Sequence, residues 1–416
     1  MFRKILSLED AKKLVFDQTR RRDLGTEEIL LEEATGTVLA ENIAASRDIP
    51  PFDRSTVDGY AARAEDTFGA EENRPVTLRI VGAVPIGELP KLEVRKKEAA
   101  EIVTGAPIPK GADAVVMIEN TERQSDHVRV FSAMPRYGNI TKAGGDIEKG
   151  EIVLTREMVL GSREIGVIAA LGMKTVRVRR TPRIAVFSTG PEIKEPGEDL
   201  PPGKIYDVNM YSLGSAILES GAKPIYLGVI QDSLSELQEA LRHGLAVADM
   251  VVTSGGVSVG PKDIMPKALA SLEKSAVVLS GIAIKPGKPT TFAVVENKLL
   301  FALPGHPTSA LLVFYLLVRP AIQAMAGRRP EEDLQSEALA ETRMFSAKGR
   351  RTFIMVTLRL DKDHRILAQP VSKGDSGAIT TLAKADGFVE IPENVQFVDA
   401  GEEVTVHLIG SKTRRF

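Results

Sequence analysis

Residues 251–263 run VVTSGGVSVGPKD, an apolar stretch that breaks into a Ser/Gly loop and ends on a lysine and an aspartate. Small residues there let backbone amides approach an anion. Ser254, Gly255 and Gly256 could therefore form an anion-binding nest at a helix start, or the glycines could simply serve a tight turn. A Walker A loop is excluded, because it requires GxxxxGK followed by Ser or Thr for phosphate and magnesium. Here Gly255 and Gly260 keep the first spacing, but Pro261 stands at the lysine position and Lys262 is followed by Asp263. A second candidate is AIKPGKP, Ala283 to Pro289, where Lys285 and Lys288 flank a Pro-Gly turn. Two ammonium groups on a stiff loop suit a compact oxyanion such as phosphate, sulfate, molybdate or tungstate; a solvated turn is the alternative.

The elements needed to place these residues are legible around them. From Arg183, RIAVF, IYLGVI, DMVVT and LLFAL have the character of strands. Between them NMYSLGSAILESG reads as a helix with Asn209 as N-cap and Gly221 as stop, and DSLSELQEALRHG as one capped by Asp232 or Ser233. DIMPKALASL is helical after Asp263, and HPTSALLVFYLLVRPAI forms a last helix. Such alternation predicts a mostly parallel sheet covered by helices, whose ligands bind beyond the carboxyl ends of the strands. Those ends carry STGPE, QD, TSGGVSVGPKD and PGHP, so Glu192, Asp232 and Asp263 come to the edge that holds the glycine loop. Each carboxylate alone could be a helix cap or a surface charge. With the two lysines they suggest a phosphorylated substrate, a hard divalent metal and an oxyanion in one pocket.

The rest of the chain bounds this reading. Its 416 residues are too many for one ordinary core. Before Arg183, VTLRIVGAV, AAEIVTGAPIP, ADAVVMIE and HVRVF read as strands between turns, and a basic linker follows at Arg179 to Pro182. A second linker, Gly327 to Asp333, leads to RTFIMVTLRL and EEVTVHLI, a small β domain. The formal charge of -2 argues against a nucleic-acid partner. The absence of cysteine removes disulfides, thiolate metal sites and a cysteine nucleophile. None of the five histidines forms HExxH, so a metal would be a hard ion held by oxygen. The N-terminal MFRKILSLEDAKKLVFD interleaves apolar and charged residues, with Ser7 and Asp10 capping an amphipathic helix rather than a signal peptide. LLVFYLLV, Leu311 to Val318, is too short to span a bilayer. A cytoplasmic protein with no membrane or nucleic-acid partner is expected.

PPFDRSTVDGYA (Pro50 to Ala61), EIVTGAPIPKGADAVVMIE (Glu101 to Glu119) and GGDI (Gly144 to Ile147) add to these pieces. Together with STGPEI, TSGGVSVGPKD, IKPGKP, LPGHPTSA and GRRTF they resemble, in order, the molybdopterin molybdenumtransferase family, which includes the E domain of gephyrin. The resemblance implies a multidomain α/β plus β fold. Residues 1–48 and 143–180 would form a helix/strand dimerisation domain, 49–142 a β-rich insert, 181–328 an α/β molybdopterin-binding domain and 329–416 a C-terminal β domain. It implies cleavage of adenylylated molybdopterin with release of AMP and placement of molybdate on the dithiolene, with Mg2+, in a homodimer whose active site is shared between subunits.

Carried over residue by residue, Asp58, Thr104 and Asp146 match functional positions of the N-terminal half. Glu192, Asp232 and Asp263 match acidic positions suited to magnesium and the pyrophosphate linkage. Lys285, Lys288, Ser309 and Arg350 match residues that would hold molybdate or tungstate, beside a loop shaped by Pro304 and Pro307. Three positions depart from the family pattern. His306 replaces the asparagine of PGNP, Gly281 stands where a basic residue is common, and Met355 lies near the place of a second arginine. The rival readings are a molybdopterin adenylyltransferase, an interaction scaffold and a generic phosphotransferase. The long N-terminal segments and the C-terminal β part favour insertion.

Overall fold

A computed structural model describes residues 5–20, 22–256, 264–328, 334–371 and 379–409. The chain groups into two compact units, one of residues 29–35 and 39–176 and the other of residues 1–28, 36–38 and 177–416.

The core of the first unit is a six-stranded mixed sheet. Its order is Ala114–Met117, Gly59–Ala62, Glu98–Ile102, Val76–Ala83, His127–Val130 and Thr121–Gln124. Because successive side chains of a strand point to opposite faces, Tyr60, Ala62, Ala99, Val116 and Val128 fill one core while Ala61, Ala100, Ile102 and Val115 fill another. The sheet is thus buried on both sides. Gly59 has a steric reason, since a Cβ there would lie 1.8 Å from the Val116 carbonyl oxygen.

The second unit contains the α/β sheet, ordered Lys223–Ile230, Arg183–Thr189, Met250–Ser254, Lys298–Leu303, Thr291–Val295 and Ser275–Ser280. The first four strands are parallel, and Thr291–Val295 runs against them, pairing antiparallel with Lys298–Leu303 on one side and Ser275–Ser280 on the other. Alternation again sorts the side chains. Ile184, Val186, Met250, Val252 and Phe301 pack under the helices Asn209–Glu219 and Pro307–Met325. Ala185, Phe187, Val251, Leu300 and Ala302 pack under Leu234–Val247 and Met265–Ala270.

Within Pro307–Met325 a π-helical turn spans Phe314–Val318. It precedes Pro320, which lacks an N–H and whose ring crowds the carbonyl of Leu316 in a regular helix, so the wider turn relieves that conflict. The run Leu311–Val318, too short by itself, lies inside a helix long and apolar enough to cross a membrane by length and composition. That helix is 72% buried against the unit, as a core helix is.

The C-terminal strands Arg351–Leu360, Ile366–Pro370, Gln335–Ala340, Glu403–Leu408 and Gly387–Ile391 follow one another in a second sheet, and pairing of its first and last members closes it into a small barrel. Val356, Ala368, Val389, Ile391 and Val406 fill it. The multidomain α/β plus β architecture is as expected.

The start of the chain packs with the unit that carries the α/β sheet. Ser7 does cap the helix Leu8–Thr19 through Asp10 N–H at 3.1 Å. That helix buries Leu8, Ala11 and Val15 in the core with Leu312 and Phe314 of the α/β unit, because its apolar stripe meets the apolar helix there.

Candidate functional site

The strand order places a switch point between Arg183–Thr189 and Met250–Ser254, the place at which open α/β sheets bind ligands. Gly255 and Gly256 leave the second strand with φ of +95° and +69°. A Cβ on Gly255 would stand 2.0 Å from the Thr189 carbonyl oxygen, so glycine is required for the backbones to pass. Ser254 is buried, and its hydroxyl donates to Pro304 O at 2.9 Å. Pro304 is buried and Pro307 opens the helix Pro307–Val313, with His306 exposed at its N-cap position.

Two residues that the sequence reading did not assign to this site stand at its floor. Asp207 is 5% exposed, and its Oδ1 accepts from Ser188 Oγ at 2.9 Å and from Met210 N–H at 3.1 Å. Burial holds its pKa above the usual carboxylate range despite these bonds. Asn209 is not the N-cap, a place taken by Val208. Its Nδ2 donates instead to Ser254 Oγ at 2.8 Å and to Gly305 O at 2.7 Å. The available signal was two polar residues opening an otherwise apolar helix, which local reasoning assigns to capping.

The predicted carboxylates lie at the same edge. Glu192 is exposed, with its Oε2 folded over Gly190, and its carbonyl accepts from Ile205 N–H at 2.9 Å. Ser233 caps the helix Leu234–Val247, so Asp232, also exposed, has no capping role. Neither carboxylate makes an ion pair among the described residues. Asp263 lies outside them, and among them no group of three or more His, Asp or Glu could hold a metal.

The cationic turn leaves the sheet at this edge too. Strand Thr291–Val295 runs antiparallel to Lys298–Leu303, so the preceding KPGKP segment meets the end at which PGHP departs. Gly287 approaches the helix Pro307–Val313 so closely that a Cβ would come 2.6 Å from Val313. Ile284 and Lys285 pair in parallel with Arg351 and Thr352, which brings the GRRTF strand alongside. The two arginines then separate by role. Arg351 is tied to Glu9, to Glu390 at 3.0 Å and to Glu393 at 3.2 Å. Lys285, Lys288 and Arg350 have no carboxylate partner among the described residues. Ser309 is 3% exposed on the first turn of its helix.

Two family departures have physical reasons. Gly281 has φ +98°, a conformation unfavourable for any side chain. Met355 is 7% exposed in the core with Phe353 and Phe388, where a guanidinium would be unsolvated.

In the other unit the three motif segments are laced together. Asp58 Oδ1 accepts from Thr104 N–H at 2.7 Å and from Thr104 Oγ1 at 2.9 Å. The backbone bond first, and then the hydroxyl, hold the Asp58 pKa below the usual range. Gly105 N–H donates to Ser55 O, Ile108 N–H to Asp53 O and Gly144 N–H to Pro50 O. Asp146 is exposed, with its N–H on Ile49 O at 3.0 Å. Asp58 and Thr104 are thus brought into direct contact, and GGDI is tied to Ile49 and Pro50 ahead of them.

Comparison with known proteins agrees along the whole chain. Residues 6–172 match the MoeA N-terminal region (domain I and II), 185–324 a probable molybdopterin binding domain and 337–409 the MoeA C-terminal region (domain IV). The chain is 34% identical to a molybdopterin molybdenumtransferase of Bacillus subtilis, over 92% of this chain and 90% of that one. It is likewise 34% identical to the Haemophilus influenzae molybdopterin molybdenumtransferase, over 95% and 100%. The crystal structure of a molybdopterin biosynthesis MoeA protein from Pyrococcus horikoshii superimposes with a TM-score of 0.82 at 42% identity, over 97% of this chain and 99% of that one. With its fold, its switch point and its ordered motifs matching from end to end, the chain belongs to the molybdopterin molybdenumtransferase family.

Proposed function

We propose that this chain is the molybdenum-inserting transferase of molybdenum cofactor biosynthesis, which binds adenylylated molybdopterin, releases AMP and places molybdate or tungstate on the dithiolene. The observation that carries the reading is one sheet edge with two complementary parts. The glycine loop at the switch point beside Thr189 stands at the same edge as the KPGKP turn and Arg350, whose cations no described carboxylate neutralises. Glycine backbones suit a phosphate, while unpaired cations suit a tetrahedral oxyanion. Lys285, Lys288 and Arg350 hold that oxyanion, with Ser309 at the helix start behind them.

Glu192 and Asp232 fit a hard cation, since they are oxygen donors at this edge without described ion pairs, and Asp263 would complete the set. When bound, Mg2+ would neutralise the pyrophosphate linkage. Glu192, Asp232 and Asp263 are the residues that would hold the ion; water attacks phosphorus, the anhydride P–O bond breaks as AMP leaves, and the water's proton passes to solvent. Asp58, held ionised by Thr104, and Asp146 act on the same substrate in a cytoplasmic homodimer, each subunit supplying its motif set to its partner.

The test follows AMP release from adenylylated molybdopterin and magnesium with molybdate or tungstate added. Release that depends on the oxyanion, and is lost in Asp263→Asn and in Lys285→Ala with Lys288→Ala, supports insertion. Mixing inactive Asp58→Asn with inactive Asp232→Asn restores part of the activity if the site is shared. Synthesis of adenylylated pterin from ATP would make the protein an adenylyltransferase, and neither activity with no pterin bound would leave a scaffold.

A further inference from the structure

Asn209 is 5% exposed and stands first in the helix Asn209–Glu219, yet it does none of the work of a helix cap. Both hydrogens of its single amide nitrogen leave the helix. One goes to Ser254 Oγ at 2.8 Å, at the end of Met250–Ser254. The other goes to Gly305 O at 2.7 Å, in the turn that follows Lys298–Leu303. Ser254 Oγ passes its own proton to Pro304 O at 2.9 Å, which closes a triangle of helix, strand end and turn. Two residues earlier, Asp207 ties Ser188 to the same helix start, so the ends of three adjacent strands converge on one turn.

The parallel ladder joins these strands as far as Ser254 beside Leu303. Beyond the paired residues, Gly255 N–H to Leu303 O at 3.1 Å is the one backbone bond joining this loop to the neighbouring strand end among the described residues. Past that ladder, the turn residues Pro304 and Gly305 are joined to the loop through the side chains of Ser254 and Asn209. An amide is the group required, because one nitrogen must face a hydroxyl oxygen and a carbonyl oxygen together. Aspartate has the same shape and no donor, and would set a carboxylate against Gly305 O.

We propose that Asn209 is a positioning residue for the transferase reaction, holding the TSGG loop and the PGHP turn at the spacing that grips the molybdopterin part of the substrate. This rests on the function proposed above. The tests use the full chain as wild type, Asn209→Asp and Ser254→Ala, measuring the Kd of molybdopterin by quenching of its fluorescence, kcat and KM for AMP release, and Tm. In Asn209→Asp, Kd and KM rise together by about tenfold, the factor lost with one buried hydrogen bond, while kcat stays within about twofold. Ser254→Ala, which adds no charge and removes little volume, moves Kd and KM in the same direction. Adding Ser254→Ala to Asn209→Asp gives less than the product of the two factors, because both break one network.

A lower Tm with wild-type Kd and KM in both single variants would make Asn209 a merely structural residue and overturn the proposal. In that case the wild-type activity leaves the function reading standing. A wild-type chain that neither binds molybdopterin nor releases AMP overturns both.

Discussion

Asp207 carries the clearest pH signature at the scale of single residues. Its pKa is raised by burial, so its interactions contribute in full below the pKa of the unfolded chain, where the carboxyl is protonated in both states. As pH rises through the folded-state value, the buried group must ionise and stability is lost. Asp207→Asn imitates the protonated form. Its Tm relative to wild type therefore moves in the variant's favour as pH rises above the ordinary carboxylate range. A difference that stays flat with pH would show the carboxyl to be unperturbed.

The adjacent arginines offer a second contrast. Arg351→Ala leaves Glu9, Glu390 and Glu393 without their cation and costs about 1–3 kcal/mol in denaturant unfolding. Arg350→Ala leaves stability within about 0.5 kcal/mol and raises the molybdate KM of AMP release about tenfold. The sequence shows two arginines in a row and nothing that separates them. Only the strand pairing and the three glutamates, one near the start of the chain and two some forty residues beyond the arginines, do so.

At the scale of elements, the loop after Met250–Ser254 depends on backbone geometry before it depends on any side chain. Gly255→Ala must place a methyl at 2.0 Å from a carbonyl oxygen and hold φ near +95°. The cost exceeds about 1 kcal/mol, and molybdopterin binding falls with it. Calorimetry with and without molybdopterin checks both parts, and an unchanged Tm would mean that the Thr189 end gives way. The strands and helices around this loop were legible because their signals are local: short continuous apolar runs in RIAVF and DMVVT, Ser and Asp at helix starts, glycine at helix ends. The cap at Asn209 was misplaced for the same reason. A polar residue before an apolar helix has one local partner to offer, whereas its real partners stand 45 and 96 residues away.

At the scale of the whole molecule, the N-terminal helix belongs to the core of the unit that carries the α/β sheet. Leu8 is 2% exposed there, so Leu8→Ala costs about 2–5 kcal/mol. Hydrogen exchange then quickens in Pro307–Met325, which shares that core, while the sheet of residues 59–130 keeps its protection. Faster exchange in that sheet instead would place the helix elsewhere.

The sequence by itself determined the class of fold, the sheet edge that carries STGPE, TSGG and PGHP, the pairing of lysines in KPGKP and membership of the family. Hydrophobic period, turn chemistry and motif order are properties of neighbours along the chain. The tertiary structure alone decided which arginine is neutralised, which helix completes the core, and that Asp207 and Asn209 stand at the switch point. Burial and hydrogen bonding across tens or hundreds of residues depend on where the chain returns, and no local pattern encodes that.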